Sequence, residues 1–172
     1  MRIVASIVIL LSASALKAEE STLPVVERAI QYADDSAETH QQSRDLYYRK
    51  GLTDQPVVIY VHGGGWAFGD KEEVHRKPQF FLRQDLAFIS ANYRLRWDYQ
   101  IHDQAEDLVS VIDWVHKNAV TYGLDRNRIV LMGHAAGAHL VSLVATNPGF
   151  MKAEGLSLSD ILAVVSIDTS SY

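Results

Sequence analysis

The sequence predicts an α/β fold, in which a mostly parallel β-sheet carries helices on both of its faces. Short apolar runs without polar alternation are typical of strands that are buried on both sides. Such runs read VVIYVH, LAFISANY, RIVLMGH and ILAVVSID. Segments between them place apolar residues at helical spacing, and strands that alternate with helices favour a parallel sheet.

Residues 1–18 are predicted to be a secretory signal peptide and not part of the fold. Arg2 precedes an apolar run that ends at Leu11, and small residues follow, with cleavage expected after Ala15 or Ala18. The run is too short to predict a stable membrane span. An uncleaved anchor is the alternative. We expect a secreted or periplasmic protein whose single domain comprises residues 19–172.

The next segments predict a peripheral helix and the first strands of the sheet. VVERAIQYA has the amphipathic pattern of a short helix, followed by a loop. RDLYYRKG alternates enough for an edge strand that ends at Gly51. VVIYVH is then the central parallel strand, a helix follows near HRKPQFFLRQ, and LAFISANY is the next buried strand.

A long amphipathic helix is predicted over HDQAEDLVSVIDWVHKNAVTYG. Asp103 and Glu106 resemble a capping box with the aspartate as N-cap, and Gly123 is the expected C-terminal stop. RIVLMGH predicts a third buried strand, AAGAHLVSLVAT a helix and ILAVVSID a fourth strand. The apolar face of the long helix is predicted to contain Ala105, Leu108, Val109, Ile112 and Val115.

Composition excludes several classes of partner and chemistry. The chain has 172 residues, a hydrophobic fraction of 48% and a net charge of −5, which favours a folded domain without the basic surface that nucleic acid requires. It has no cysteine, so disulfides and thiol chemistry are excluded. No pair of histidines and carboxylates has the spacing of a metal site, and we predict none.

Three glycines directly after a predicted buried strand form the first functional motif, HGGGW. Backbone N–H groups of Gly63, Gly64 and Gly65 can approach a ligand closely because no side chain is in the way. Donors of this kind stabilise a developing oxyanion. A flexible loop without function is the alternative.

The second motif, GHAAG, lies between the strand RIVLMGH and the helix that follows. Such a sharp turn needs small residues on both sides of its apex, and Gly133 and Gly137 supply them. At the apex, where an attacking serine would stand, the chain has Ala135. Any tight strand–helix turn is the alternative interpretation.

Together these motifs resemble the α/β-hydrolase esterases of the hormone-sensitive-lipase-like and kynurenine-formamidase-like groups, and the feruloyl and acetylxylan esterase-like members are similar. The resemblance rests on YVHGGGWAFGDK, ANYRL and YGLDRNRIVLMGHAAGAHL, within roughly residues 36–172. It implies the N-terminal part of an α/β-hydrolase domain that hydrolyses carboxylic esters, or small amides, without a cofactor. It also implies an oxyanion hole formed by the N–H groups of Gly64, Gly65 and Ala136.

The sequence departs from this family at two points of the catalytic triad. The family's nucleophilic serine falls on Ala135, whose methyl group cannot attack a carbonyl carbon. The triad order in this fold is Ser, then Asp or Glu, then His, yet no histidine follows His139. Asp168, after the last predicted strand, is a candidate for the acid; a strand-end aspartate that caps a loop is the alternative.

Other polar and aromatic residues near the motifs have structural interpretations. His62 is expected to brace the glycine loop, His134 to point away from the pocket, and Arg94 to pair with a carboxylate. Trp66 is expected either to line the acyl pocket or only to pack.

The sequence therefore predicts a carboxylic-ester hydrolase in which catalysis is impaired. The alternatives are a non-catalytic protein that binds an ester, acyl or carbohydrate ligand, a fragment of a larger hydrolase, and a decayed gene product without function. The family's sheet usually has eight strands, so ILAVVSI is expected to leave an open edge that permits self-association.

Overall fold

The fold is built from six strands and four α-helices within the described residues of a computed structural model, residues 24–33 and 40–168. The strands are β1 (Pro24–Gln31), β2 (Ser43–Arg49), β3 (Gln55–Val61), β4 (Ala87–Ala91), β5 (Leu124–His134) and β6 (Ile161–Ile167). The helices are α1 (Lys77–Leu82), α2 (Ile101–Tyr122), α3 (Ala136–Thr146) and α4 (Pro148–Ala153), with a 3₁₀ turn at Leu158–Asp160.

All six strands belong to one mixed sheet of order β1-β2-β4-β3-β5-β6. The pairs β4–β3, β3–β5 and β5–β6 are parallel, whereas β1–β2 and β2–β4 are antiparallel. The predicted α/β class is therefore confirmed, with VVIYVH as the central parallel strand. Because β3 and β5 are neighbours, the two glycine motifs that follow them lie at the same edge of the sheet.

Both faces of the sheet carry packed side chains, as the apolar runs predict. Val57, Ile59 and Val61 of β3 pack on one face in a cluster that includes α2, α3 and α4. Val58 and Tyr60 pack on the other face with Leu82 of α1. The alternation follows from the two-residue period of a strand, and it confirms helices on both faces.

Helix α2 buries the predicted apolar face, but its N-cap lies three residues before the predicted one. Gln100 is the N-cap, and the Asp103 carboxylate accepts a 2.6 Å hydrogen bond from the Gln100 N–H. The expectation that Asp103 is itself the N-cap is therefore wrong, because Asp103 is the third-position partner of the capping box. Gly123 ends the helix in the left-handed conformation, as predicted.

The segment VVERAIQYA forms strand β1 and not the predicted short helix. Its side chains alternate between partial burial and exposure, and its backbone pairs antiparallel with β2. The Glu27 carboxylate accepts hydrogen bonds from Tyr48 and Tyr122. Tertiary pairing thus outweighs a weak helical pattern.

Strand β2 is an interior strand, so the edge position predicted for RDLYYRKG is also wrong. It lies between β1 and β4, and Ser43 through Tyr48 are buried. The wrong edge position of β2 follows from the wrong helix prediction for VVERAIQYA. If that segment were a helix, β2 would be the edge strand, but β1 pairs with it and takes the edge.

At the opposite edge, β6 pairs only with β5 among the described residues. Leu162, Val164 and Val165 are exposed on this strand. The predicted open edge at ILAVVSI is therefore present in the described part of the chain. No helix among the described residues is long and apolar enough to cross a membrane, and the predicted signal peptide lies outside those residues.

Candidate active site

The turn between β5 and α3 holds Ala135 in a strained backbone conformation. Its φ is 48° and its ψ is −113°, a region that non-glycine residues rarely adopt and that costs of order 1–3 kcal/mol. The Ala135 N–H donates to the Ile167 carbonyl at 2.9 Å, and its own carbonyl accepts from His139 N–H at 3.2 Å. The sheet and the helix therefore fix the apex of the turn from both sides.

Close approach of the turn to the end of β3 explains the small residues around the apex. A Cβ on Gly137 would stand 2.2 Å from the Val61 carbonyl oxygen, and one on Gly133 would stand 2.3 Å from the Gly137 carbonyl oxygen. No side chain fits at either distance. The turn is therefore tightly packed against β3, and its apex carries the methyl group of Ala135.

The glycine loop after β3 contacts this turn directly. A Cβ on Gly63 would lie 3.2 Å from the Ala135 Cβ, so the two motifs touch at that point. Gly64 and Gly65 have positive φ angles of 120° and 60°, and the Gly64 carbonyl accepts hydrogen bonds from Ala67 and Phe68. The loop is a closed turn and not an irregular segment.

Backbone donors at this junction have no acceptor within the described residues. The N–H groups of Gly64, Gly65 and Ala136 donate no hydrogen bond there. Each is an N–H that a ligand oxygen can satisfy. Their joint action as an oxyanion hole stays a prediction, and the contact between the motifs supports it.

The residue before the glycines has the bracing role that the sequence indicates. His62 is buried, its Nδ1 lies 2.7 Å from the Gly63 carbonyl oxygen, and its ring stacks on Tyr93 at 4.5 Å. The Tyr93 hydroxyl donates to the His62 carbonyl at 3.2 Å. Burial lowers the pKa of His62, which keeps the imidazole neutral and suits packing against an aromatic ring.

The far end of the glycine loop is anchored by a buried ion pair that the sequence did not reveal. Lys71 and Asp45 are both buried, with 3.0 Å between Nζ and Oδ1. The Lys71 N–H donates to Asn92 Oδ1, and its carbonyl accepts from Ser90 Oγ at 2.7 Å. The sequence signal that could have indicated this ion pair is the presence of polar residues, Asp45 and Ser90, within buried strands.

His134, the last residue of β5, lies beside the apex and faces a cavity of about 490 Å³. Gly63 and Gly64 line the same cavity. The expectation that His134 points away from the pocket is therefore wrong: the backbone reversal at Ala135 leaves the preceding side chain over the glycine loop. Asp168 Oδ2 lies 3.7 Å from His134 Nε2, which brings the candidate acid beside a histidine that precedes the apex.

Trp66 lies on the other side of the turn, where it both packs and borders a cavity. Its indole N–H donates to His139 Nδ1 at 3.3 Å, and its carbonyl accepts from Gln104 Nε2 at 2.9 Å. Trp66 also lines a cavity of about 380 Å³ together with Arg96 and Tyr99. Burial lowers the pKa of His139, which favours the neutral ring that can accept the indole hydrogen bond.

Arg94 pairs with a carboxylate as expected, because its Nε lies 2.9 Å from Asp107 Oδ1. This pair joins α2 to the segment after β4. The described residues contain no group of three or more His, Asp or Glu side chains arranged to hold a metal ion.

The profile of the BD-FAE family matches residues 44–161, which contain the glycine loop, the turn at Ala135 and the strands that carry them. The chain belongs to this family of α/β-hydrolase esterases. The family and the fold implied by the sequence resemblance are therefore both confirmed.

Curated relatives of the chain include esterases from animals and plants. The chain is 31% identical over 129 residues to juvenile hormone esterase from Heliothis virescens, a match that covers 67% of this chain and 23% of the relative. It is 35% identical over 120 residues to a probable isoprenylcysteine alpha-carbonyl methylesterase from Arabidopsis thaliana, covering 69% and 24%. The chain thus spans about a quarter of the length of these relatives.

Solved structures of esterases share the fold. Esterase B from Lactobacillus rhamnosis superposes with a TM-score of 0.65 at 25% identity, over 96% of this chain and 54% of that chain. Thermogutta terrifontis esterase 2 superposes with a TM-score of 0.67 at 23% identity, over 85% and 56–57% of the two chains. The chain therefore aligns with a little more than half the length of these solved esterases.

Proposed function

We propose that this chain is an esterase-family protein that binds a carboxylic ester, or its acyl or sugar-linked fragment, at the glycine loop without the covalent chemistry of a serine esterase. The observation that carries the proposal is Ala135 at the apex of an intact strained turn. The donors that would hold a carbonyl oxygen remain, and the attacking atom is replaced by a methyl group.

Geometry around the apex supports retention of binding. Gly63 lies close to Ala135, since a Cβ on residue 63 would stand 3.2 Å from the Ala135 Cβ. The N–H groups of Gly64, Gly65 and Ala136 have no acceptor among the described residues. The adjoining cavity of about 490 Å³ is in the usual size range of small-molecule sites. A carbonyl oxygen is a neutral acceptor of such N–H groups, and a tetrahedral oxyanion is a stronger one.

The proposal also includes the cellular location and the assembly of the protein. Arg2 and the apolar run up to Leu11 support export through a cleaved signal peptide. The exposed edge at β6 supports self-association, with no requirement for nucleic acid, a metal or a cofactor.

The experiment that tests ligand binding separates it from turnover. Ethyl butyrate is expected to bind to the wild-type chain, as measured by saturation-transfer NMR on the ligand. Release of butyrate is expected to stay within the rate of an uncatalysed control, because no hydroxyl stands at position 135. Rapid turnover by the wild type would contradict the proposal, as would the absence of any saturation transfer.

Self-association at β6 is expected to decrease when charge is placed on that edge. The double variant Leu162→Lys, Val164→Lys should shift the sedimentation profile toward the monomer, because charged side chains on an edge strand disfavour edge-to-edge pairing. Val120→Lys is the matched control, since Val120 is 98% exposed and belongs to α2 and not to an edge strand. An unchanged profile in the double variant would contradict this assignment.

A further inference from the structure

His134 is placed as a proton acceptor beside the apex of the turn. Its ring lines the cavity that Gly63 and Gly64 also line, and its side chain is 44% exposed. It is therefore accessible from the cavity, unlike His62, which is buried against Tyr93.

The His134 imidazole and the Ala135 methyl group both lie next to the position that a Cβ on residue 63 would occupy. A Cβ built on Gly63 would lie 2.8 Å from His134 Nδ1 and 3.2 Å from the Ala135 Cβ. The ring nitrogen and the methyl group therefore border the same small volume, which is open only because residue 63 is a glycine. Those two distances place Nδ1 no more than 6.0 Å (2.8 + 3.2) from the Ala135 Cβ, close enough for one bridging water between the ring and a hydroxyl at position 135.

The other ring nitrogen faces a carboxylate. His134 Nε2 lies 3.7 Å from Asp168 Oδ2, within the range of an ion pair. The parallel register sets this approach, because His134 pairs with Ile167 and the Ala135 N–H donates to the Ile167 carbonyl. The Asp168 carboxylate favours the His134 tautomer in which the proton is on Nε2. In that tautomer Nδ1 is unprotonated and can accept a proton.

From this arrangement we propose that His134 is a general base for the apex position, with Asp168 as its positioning residue. The inference rests on the proposed ester site, since the reacting carbonyl must bind at the glycine loop. It assigns to this chain a base that precedes the nucleophile position, whereas the family pattern places the histidine after it. Impairment then resides in the methyl group at the apex position.

The chemical step balances with a hydroxyl introduced at position 135. Its oxygen forms a bond to the ester carbonyl carbon, the carbonyl π electrons move to the oxygen held by the N–H donors, and the hydroxyl proton moves to His134 Nδ1. As the bond to the leaving alcohol breaks, that alcohol takes the proton from the imidazolium. Water then repeats the sequence on the acyl group, which releases the acid and restores the hydroxyl.

The test compares hydrolysis of p-nitrophenyl acetate by Ala135→Ser and by the double variant Ala135→Ser, His134→Gln. Loss of the imidazole is expected to lower the rate about 100-fold, since a positioned base contributes about 10²–10⁴-fold. The rate of the single variant should rise with pH through an inflection that the double variant lacks. Adding Asp168→Asn to the single variant is expected to cause a smaller loss.

The matched control is His102→Gln in the Ala135→Ser background. His102 also pairs with a carboxylate, Glu106 at 3.2 Å, but it lies on α2 and lines a different cavity, so the rate is expected to be unchanged. The other charged or titratable groups that line the His134 cavity are Tyr60, Glu73, His75 and Lys77. Replacing His75 by Gln should leave the pH inflection in place.

Two results would overturn the assignment of His134. One is equal rates and pH profiles with and without the imidazole, and the other is no hydrolysis above background by Ala135→Ser. Saturation transfer from the protein to ethyl butyrate shows whether the base role of His134 has failed alone or whether ester binding at the glycine loop has failed as well. Binding that persists in the His134→Gln variant leaves the ester site intact, whereas no binding in any variant removes both proposals.

Discussion

Ala135→Ser is expected to make the chain reactive toward an organophosphate, which should label it once. Excess paraoxon should add a single diethylphosphoryl group, located by mass spectrometry in the peptide that contains position 135. The reason is geometric: the backbone at 135 already has the strained conformation of a nucleophile turn, so the substitution adds only the reacting oxygen. The wild type is expected to remain unlabelled at this site.

The control for this labelling is a serine introduced elsewhere on the same helix. Ala145→Ser, near the end of α3, supplies a hydroxyl without the glycine loop and should not react. A chain labelled equally in both variants would show nonspecific reaction. A folded Ala135→Ser chain that stays unlabelled at saturation would contradict the assignment of the turn.

Asp45→Ala is expected to produce the largest loss of stability among single substitutions of the loop anchor. It leaves the Lys71 ammonium buried without its 3.0 Å partner, and removing one partner of a buried ion pair costs about 3–5 kcal/mol. The Ala29 N–H would also lose its 2.9 Å acceptor. The free energy of unfolding from urea denaturation is the measurement.

Two comparisons give this prediction its specificity. Asp113→Ala breaks a pair with Lys117 in which the lysine side chain is 73% exposed, and exposed pairs contribute about 0–1 kcal/mol. The double variant Asp45→Leu, Lys71→Met removes both buried charges and should recover only part of the loss, because Arg28 and the Ala29 N–H still lose their carboxylate partner. A loss for Asp45→Ala no larger than for Asp113→Ala would contradict the anchoring role.

Much of the parallel core was predictable because its signals are local. An uninterrupted apolar run such as VVIYVH and the helical spacing of Leu108, Ile112 and Val115 each report burial within one segment. The position of β1 was not predictable in this way. Its side chains alternate only weakly, and the partner that makes it a strand is β2, which begins further along the chain at Ser43.

The two glycine motifs were found from sequence because glycine has few substitutes where backbones nearly touch, as at Gly137. The surroundings of those motifs were not found. His134 faces the cavity because the chain reverses direction at Ala135, and Asp168 reaches it through the register of β5 with β6. Both facts depend on tertiary geometry that spacing along the sequence does not express.

The central claim is that the glycine loop and the turn at Ala135 still form a binding site for an ester carbonyl. The most direct measurement is a titration of the ¹⁵N-labelled wild-type chain with ethyl butyrate, followed amide by amide in TROSY spectra. We expect the resonances of Gly64, Gly65 and Ala136 to move downfield together with one saturation curve, since each N–H gains the same acceptor. The Gly155 amide, which donates to Lys152, should stay fixed. Saturating ester that leaves the three amides unmoved, or that shifts only residues around Trp66 and Arg96, would contradict the claim.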